Sequence, residues 1–345
     1  MSQPFRLNKE GLINRKKKIS FTFNGKKLFG YEGDTIASAL IANGIHLVGR
    51  SFKYHRPRGF FGAGVEEPNA KLQVEFNGHS EPNVNATEME LVEGLSATSQ
   101  NCWPSVNFDV GAINNFLKMF FPAGFYYKTF MWPKSFWYKI YEPFIRKAAG
   151  LGVASIEKDK ERYEHKFEYC DLLVTGSGPS GLASAYAAAK NGAKVILAED
   201  KPRFGGTLLT DDVSIDNLSG KDWAEKIITE LKSMPNVTVK NRSQVFGYYD
   251  HNMLVMFERV SDHLEKKSKF TPRQRLWYIR AKETILSTGS IERPIVFGNN
   301  DTPGIFLSAA AKEYMKVYGV LVGKKPLILS LIHISEPTRR TPISY

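Results

Sequence analysis

Three glycines, Gly176, Gly178 and Gly181, stand in the G-x-G-x-x-G spacing that binds the diphosphate of a dinucleotide. An apolar stretch, residues 172–175, precedes them, and a run of small residues typical of a helix follows, PSGLASAYAAAKNG. The first glycine permits a tight turn, the second lets backbone approach the pyrophosphate, and the third lets the helix pack closely on the strand. Because the free N–H groups and the dipole of the helix attract phosphate, the pattern predicts a dinucleotide site.

A carboxylate lies where this fingerprint needs one. The second apolar strand, residues 194–198, ends at Glu199, where a side chain can accept hydrogen bonds from both hydroxyls of the adenosine ribose. A 2′-phosphate would be repelled there, which favours NAD or FAD over NADP. Lys201 and Arg203 weaken that exclusion because they add positive charge nearby.

Further cofactor contacts are expected beyond the fingerprint. FGGTLL supplies Gly206 and then Thr207, a donor near the diphosphate. The turn that ends at Val245 would bring backbone near the adenine. Thr288 and Gly289 stand at another strand end, where a two-dinucleotide flavoprotein fold returns the chain toward the cofactor. A turn role alone remains the alternative for Gly289.

Other kinds of catalytic site find no support in the sequence. The seven histidines lack partners at metal-ligand spacing, and the two cysteines, Cys102 and Cys170, cannot form a Cys₄ site. Cys102 has no histidine at a useful spacing, so a buried or idle thiol is expected. Nucleophile-elbow and Walker patterns are lacking. The motifs therefore predict no metal and name no catalytic residue.

Length and composition indicate a multidomain globular chain. It has 345 residues, 42% hydrophobic and 24% charged, which allows two or three domains. Its net charge is +12, concentrated in residues 1–60. Since no nucleic-acid motif accompanies that charge, we expect a solvated or subunit-facing surface. No apolar run is long enough to span a membrane and no leader is signalled, so a cytoplasmic protein without nucleic-acid or membrane partners is expected.

The elements before the fingerprint indicate a small α+β module. Apolar and polar residues alternate over 19–29 around Asn24-Gly25, which predicts a hairpin, and GDTIASALIANG predicts a helix capped by Asp34 or Thr35. Residues 71–76 read as another strand. The aromatic-rich stretch 103–137 cannot form one continuous helix because Pro122 and Pro133 interrupt it, and it is expected to pack between domains.

Two later segments complete the outline of the chain. IEKDKERYEHKFE, residues 156–168, is polar and charged and reads as a linker before the apolar strand. KKPLILS, residues 324–330, reads as the first strand of another dinucleotide half, although no glycine loop follows it.

Several motifs together resemble the α subunit of heterotetrameric sarcosine oxidase, with hydrogen cyanide synthase and opine oxidase subunits as relatives. The motifs, which span residues 18 to about 325, are GDTIASALIANG, VGRSFKYHRPRGFFGAG, EEPNA, SQNCWPSVNFD, AGFYYKTFMWP, GSGPSGLASA, EDKPRFGGTL and STGSIERPIVFGNNDTPGIF.

The resemblance implies an α/β fold in which a ferredoxin-like α+β domain precedes a Rossmann-type, two-dinucleotide flavoprotein-like domain that binds NAD. Carried over by motif position, the implied NAD contacts are Ser180, Glu199, Asp200, Lys201, Thr207 and Val245. In the family, sarcosine is oxidatively demethylated to glycine, with hydrogen peroxide formed and the one-carbon unit passed to tetrahydrofolate. The flavin, FAD or FMN, is implied mainly on a partner subunit, and folate on a C-terminal domain. The implied partners are β, γ and δ subunits.

Two departures from the family qualify this interpretation. A [2Fe–2S] cluster needs four thiolates, whereas this chain has Phe-Phe-Gly-Ala-Gly where ligands would cluster and no cysteine before Cys102. A ferredoxin-like domain without a cluster is therefore expected. The ending SLIHISEPTRRTPISY resembles translated sequencing-adapter read-through, so residues 330–345 are expected to be a non-native tail on a truncated N-terminal fragment.

The predicted divisions are a ferredoxin-like domain over 15–100, an aromatic-rich connecting segment over 101–165, an incomplete NAD-binding domain over 166–329 and the tail. The chain is thus interpreted as an oxidoreductase subunit that does not turn over sarcosine alone. Two alternatives stay open. One is an FAD-binding subunit of an opine or amino-acid dehydrogenase, and the other is a structural subunit with a vacant nucleotide site.

Overall fold

The computed structural model describes residues 2–76, 78–120, 124, 130–150 and 152–330. These residues form two compact units. The first unit comprises the described residues of Met1–Met89, Gly94–Ser155 and Glu292–Tyr345, and the second comprises Glu90–Glu93 and Ile156–Ile291. The domain boundaries expected from the sequence stay a prediction.

The first unit begins with the predicted hairpin. Strand β1 (Asn14–Phe23) pairs antiparallel with β2 (Lys26–Glu32). Asn24 and Gly25 connect them with φ of 49° and 76°, values that suit the tight turn of a two-residue hairpin and that asparagine and glycine tolerate best. The hairpin prediction is confirmed.

Helix α1 (Ile36–Ala42) follows, and all seven of its residues are buried. Thr35 is its N-cap and accepts a hydrogen bond from the Ser38 N–H, while the Ser38 side chain accepts one from the Thr35 N–H. The helix ends at Asn43, and Gly44 takes a positive φ of 80°. Of the two predicted caps, Thr35 is the one used.

The remaining strands of this unit complete a five-stranded sheet and a small ribbon. They are β3 (Gly49–Arg50), β4 (Pro57–Arg58), β5 (Lys71–Phe76), β6 (His79–Asn85) and β7 (Ser96–Ser99). The sheet order is β2-β1-β7-β5-β6, and β3 pairs only with β4. Only the β1–β7 pair is parallel among the pairs of the five-stranded sheet. Sheet and helix together form the expected α+β module.

The aromatic-rich segment that follows is broken into short turns. They are 3₁₀ turns at Val110–Asn115, Lys118–Phe120 and Lys134–Phe136, a π-turn at Trp137–Tyr141 and helix α2 (Glu142–Ala149). Many of its large apolar side chains are exposed, among them Phe116 and Trp132. The interruption expected at Pro133 is confirmed, since the chain before the Lys134 turn is extended there. Pro122 lies outside the described residues.

The second unit is built on a long strand that leads into the glycine motif. Its elements are β8 (Tyr163–Thr175), α3 (Pro179–Lys190), β9 (Val195–Ala198), a 3₁₀ turn (Gly206–Leu209), β10 (Ser214–Ile215), β11 (Leu218–Ser219), α4 (Gly220–Ser233), β12 (Val237–Lys240), β13 (Ser243–Tyr249), a short turn (Asp250–Asn252), β14 (Met253–Arg259) and β15 (Gln274–Leu286). The main sheet has the order β12-β9-β8-β15-β14-β13. The first four strands are parallel, and β14 and β13 are antiparallel additions.

Hydrophobic clusters lie on both faces of this sheet. Alternate residues of β9 divide between them, because successive side chains of a strand point to opposite faces. Leu197 belongs to the cluster that packs α3 and α4 on the sheet, together with Leu182 and Leu231. Ile196 belongs to the other cluster, with Met256. The layering of helices on a parallel sheet agrees with the expected α/β class.

The predicted linker is partly wrong. Residues from Tyr163 onward belong to β8 and pair in parallel with β15, beginning at Gln274. Glu164, one of the charged residues that suggested a linker, forms an ion pair with Arg275 of β15. Phe167 stacks on Tyr278 of the same strand, with ring centroids 4.9 Å apart. Polar strands are stabilised by such cross-strand pairs, which the sequence of one strand does not reveal.

The last described part of the chain returns to the first unit with helix α5 (Ser308–Lys316). The strand expected over 324–330 is not formed in this described stretch. A strand needs a neighbour for its backbone hydrogen bonds, and none of the described strands pairs with this stretch. Leu327 and Ile328 are accordingly 94% and 78% exposed. Of the predicted tail, residues 331–345 lie outside the described residues. Within the described part, no helix has the length and apolar character needed to cross a membrane.

Candidate functional site: the glycine loop after strand β8

The glycine loop starts with a residue that no side chain fits. Gly176 has a φ of +95°, and its N–H donates to the Ala198 carbonyl at 2.8 Å. A Cβ placed at Gly176 would lie 2.3 Å from the Ser287 carbonyl oxygen. Glycine is therefore required by the fold at this position, as predicted, for both its backbone angle and its close approach to the end of β15.

The other two glycines of the motif differ in what surrounds them. A Cβ at Gly181 would lie 2.0 Å from the Gly176 carbonyl oxygen, so that glycine is needed for packing. Gly178 is the N-cap of α3. Among the described residues, no atom lies within 4 Å of such a Cβ, and no side chain caps the helix. Pro179 occupies the first helical position and Ser180 is exposed beside it. Open space therefore lies at the positive end of α3, where phosphate binds best.

Glu199 holds the loop from the end of β9. Its Oε2 accepts hydrogen bonds from the Ser177 N–H at 2.9 Å and from the Ser177 hydroxyl at 2.5 Å, and its Oε1 accepts one from the Lys201 N–H at 3.1 Å. The side chain is only 6% exposed. Burial raises the pKa of Glu199 to about 7, and neighbouring Asp200 adds to the rise. The carboxylate thus positions the loop in addition to any contact with ribose.

Sequence reasoning missed Ser177 as part of this arrangement. Its hydroxyl also accepts a hydrogen bond from the Gly205 N–H at 3.1 Å, which connects the Gly205-Gly206 pair to the glycine loop. A Cβ at Gly206 would lie 3.0 Å from Gly178 Cα, so the predicted residue Gly206 lies directly beside the open helix end. Thr207 follows it in a 3₁₀ turn and is exposed. The small polar residue between the two glycines was the only sequence signal for Ser177.

The end of β15 meets the loop from the other side. Leu286 pairs with Thr175, and the Ser287 N–H donates to the Thr175 carbonyl at 2.8 Å. Thr288 and Gly289 come next and are exposed. Gly289 has a φ of +68° with open space around it, so a turn alone accounts for glycine there. The position of both residues agrees with the prediction, and their contact with a cofactor stays a prediction.

The predicted adenine side of the site is connected through the backbone. The Ser243 N–H donates to the Glu199 carbonyl at 2.8 Å, and the Arg242 N–H donates to the Lys201 carbonyl at 3.1 Å. The start of β13 therefore lies against the residues that follow β9. Asp200 stands in the chain between Glu199 and Lys201, whose carbonyl oxygens accept these two bonds. Val245 is two residues further along β13.

Val245 itself is partly buried. Its side chain packs against the hydrophobic cluster of Ile196 and Met256 rather than standing free. Its backbone, on which the prediction of an adenine contact rested, belongs to β13, where it pairs with Met256. The remaining predicted residues are brought to one edge of the sheet, and they are Gly176, Gly178, Ser180, Gly181, Glu199, Asp200, Lys201, Gly206, Thr207, Thr288 and Gly289.

Groups that could supply other chemistry are sparse. Within the described ranges, no three His, Cys, Asp or Glu side chains lie together as metal ligands would. Burial raises the pKa of the Cys170 thiol to about 12, and burial likewise raises the pKa of Cys102. Both thiols are therefore protonated and weakly nucleophilic at neutral pH.

Two family models match parts of the chain. Residues 16–102 match a 2Fe-2S iron-sulfur cluster binding domain, and residues 171–254 match an FAD dependent oxidoreductase. The second match includes the glycine loop, Glu199 and Val245.

Relatives with longer chains match nearly all of this one. The sarcosine oxidase alpha subunit of Rhizobium meliloti (strain 1021) is 52% identical over 326 residues, which are 94% of this chain and 33% of that protein. Its namesake from Corynebacterium sp. (strain U-96) is 34% identical over 334 residues, 94% of this chain and 30% of that protein. An opine oxidase subunit of Agrobacterium tumefaciens (strain Ach5) is 27% identical over 176 residues, 48% of this chain and 34% of that protein. The chain thus spans about a third of the length of these relatives.

A solved structure resembles most of the chain. L-proline dehydrogenase from P. horikoshii aligns with a TM-score of 0.61 and 22% identity, over 93% of this chain and 50% of that one. At this identity the likeness concerns the fold alone. It agrees with the α/β class expected from the sequence.

The prediction of NAD as the cofactor is wrong. The match to FAD dependent oxidoreductases over residues 171–254 points to FAD on this chain, and it equally overturns the assignment of flavin mainly to a partner. The physical reason is that the fingerprint recognises only a diphosphate and an adenosine ribose. NAD and FAD share both groups, so the glycine spacing and Glu199 do not separate them.

Proposed function

The chain is a homologue of sarcosine oxidase alpha subunits, and from this premise we propose that it is the alpha-subunit portion of a flavin-dependent oxidoreductase that acts on the CH–NH group of sarcosine. In this proposal sarcosine is demethylated oxidatively, and the reaction depends on partner subunits of a heterotetrameric complex. Both relatives are named as alpha subunits, which supports the need for partners.

The cofactor in this proposal is FAD, held at the glycine loop. The observation that carries it is the open space at Gly178, above the first turn of α3, in a loop whose other two glycines are fully packed. Backbone N–H groups of that turn would bind the diphosphate, and Glu199 would keep the loop in place through Ser177. When bound, FAD would supply an acceptor for two electrons. The residues of this chain bind and orient it.

The first prediction tests this site directly. The purified chain should release FAD on denaturation, and Gly178→Val should lower the FAD content at least tenfold, because the new side chain fills the space that the diphosphate needs. The measurement is the ratio of extracted FAD to protein by chromatography and absorbance.

Gly298→Val is the matched control, since Gly298 also has nothing within 4 Å of a Cβ but stands far along the chain from the motif. It should retain the wild-type FAD content, and circular dichroism should show that both variants fold. The proposal fails if wild-type protein yields no FAD, which is the result that a vacant structural subunit predicts, or if Gly178→Val retains all of it.

A second candidate function is a subunit of an opine or amino-acid dehydrogenase. The 27% identity to the opine oxidase subunit over 176 residues supports it. Sarcosine is the stronger choice because the identity to the sarcosine oxidase alpha subunit is higher and extends over 94% of the chain. Substrate tests on the assembled complex distinguish the two.

We also propose that the first unit lacks an iron–sulfur cluster although residues 16–102 match a cluster-binding domain. A [2Fe–2S] cluster of that kind is held by four thiolates, and residues 16–102 contain a single cysteine, Cys102. The residues therefore do not fit the group.

The second prediction follows from this absence of ligands. Chain purified anaerobically should contain less than about 0.1 iron or acid-labile sulfide per molecule, because a cluster needs four thiolates. Iron is measured by plasma emission and sulfide by colorimetry. Stoichiometric iron that survives treatment with a chelator contradicts the proposal.

A further inference from the structure

The loop between β4 and β5 directs its backbone N–H groups at one buried carboxylate. Glu67 Oε2 accepts hydrogen bonds from the N–H groups of Phe61 at 2.6 Å and Gly62 at 2.7 Å. Glu67 Oε1 accepts from the N–H groups of Asn69 at 2.7 Å and Ala70 at 3.1 Å. The Glu67 residue is only 1% exposed. Both oxygens are therefore saturated by main-chain donors.

A second carboxylate continues the pattern next to the first. Glu66 Oε1 accepts from the N–H groups of Ala63 at 2.7 Å and Gly64 at 3.0 Å. Six backbone N–H groups within ten residues thus donate to the side chains of Glu66 and Glu67. An isolated acidic pair at the surface would be solvated instead.

Other buried groups close the loop around these carboxylates. The Thr87 hydroxyl donates to the Gly64 carbonyl at 2.7 Å, and the buried Tyr314 hydroxyl donates to the Gly62 carbonyl at 3.0 Å. These bonds give the carbonyl oxygens of Gly62 and Gly64 donors of their own. The loop is held in one conformation by contacts from both sides.

Converging backbone N–H groups of this kind form an anion-binding nest, and such nests commonly surround phosphates and iron–sulfur clusters. The loop belongs to the region that matches a cluster-binding domain, and it contains no cysteine. An array of buried donors left without an acceptor would cost the fold several hydrogen bonds. The loop therefore needs an acceptor from another source.

We propose that Glu67, assisted by Glu66, supplies the negative charge that a bound cluster would otherwise bring to this nest. The first unit thereby keeps a ferredoxin-like loop without metal, and its folding does not depend on iron. This inference rests on the proposed absence of a cluster and adds the residue that replaces it.

The test, the third prediction, compares variants of the whole chain. Glu67→Ala should lower the melting temperature of the first unit by about 10 °C or more, because four buried donors lose their acceptor. Sodium formate, the smallest carboxylate, should restore several degrees of this loss in Glu67→Ala and more than the same concentration of sodium chloride does. Formate should leave the wild-type melting temperature unchanged, because its nest is filled.

Two further variants keep the test decisive if Glu67→Ala does not fold. Glu67→Gln keeps the shape but turns an amide NH₂ toward two backbone donors, so it should also lose about 10 °C or more and gain nothing from formate. Glu75→Ala, which removes an exposed carboxylate of β5, is the matched control and should change the melting temperature by less than about 2 °C.

The outcomes separate this inference from the proposal beneath it. A Glu67→Gln variant as stable as wild type would show that negative charge is not needed in the nest. Equal stabilisation of Glu67→Ala by formate and chloride would contradict a carboxylate-shaped site. Stoichiometric iron in the wild-type chain would instead overturn the absence of a cluster, whatever the variants do.

Discussion

Gly181→Ala should destabilise the second unit by at least about 3 kcal/mol, which is close to the upper range for overpacking a well-packed position. The added Cβ would lie 2.0 Å from the Gly176 carbonyl oxygen and 3.2 Å from Ser287 Cβ. The nearer atom is backbone in a loop that Ser177 and Glu199 already hold. The first turn of α3 must therefore move away from β8.

Hydrogen–deuterium exchange of peptides covering residues 171–198, combined with urea unfolding, measures this loss. Gly178→Ala is the matched control within the same motif. Its backbone is ordinary, with φ of −66°, and its Cβ meets open space, so its stability should stay within about 1 kcal/mol of wild type. Equal stability of the two alanine variants would show that Gly181 does not hold helix and strand together as described.

Asp34→Asn should cost the first unit about 3–5 kcal/mol, the range for removing one partner of a buried ion pair. Asp34 is fully buried and binds Arg6 through two hydrogen bonds, at 3.0 and 2.7 Å. It also accepts from the Ser38 hydroxyl at 2.7 Å and the Tyr31 N–H at 2.9 Å. The neutral amide would leave the Arg6 guanidinium buried without a counter-charge.

The effect is measured by urea unfolding, with exchange of peptides from the first unit to locate it. Glu32→Gln on neighbouring β2 is the control, because its ion pair with Lys17 is about half exposed and should contribute at most about 1 kcal/mol. If Asp34→Asn and Glu32→Gln lose the same small amount, the Arg6–Asp34 pair does not stabilise the unit as its burial implies.

The elements that the sequence predicted well are those whose structure depends on residues close together in the chain. The hairpin at Asn24-Gly25, helix α1 and the strand–glycine loop–helix of β8 and α3 all follow from residues close in the chain. Turn residues, a capping box and glycine spacing act over a few positions, so one sequence contains what they need.

The two errors in secondary structure arise where pairing with another strand decides the outcome. Residues from Tyr163 were predicted as a linker because they are charged. They form a strand because β15, over a hundred residues later, pairs with them. The stretch at Leu327 reads as a strand, yet it has no neighbouring strand in the described part of the chain. A hydrophobic pattern favours a strand, but pairing with a neighbouring strand decides whether the strand forms.

The sequence by itself predicted a dinucleotide site at Gly176–Gly181, because the spacing of three glycines and one carboxylate meets the geometric demands of a diphosphate and a ribose. Only the tertiary structure decided which hydrogen-bond donors Glu199 and Glu67 bind. Glu199 bonds to Ser177, and Glu67 bonds to four backbone N–H groups. A carboxylate in a sequence carries no sign of which donors the folded chain will bring to it, because the folded backbone decides where those N–H groups point.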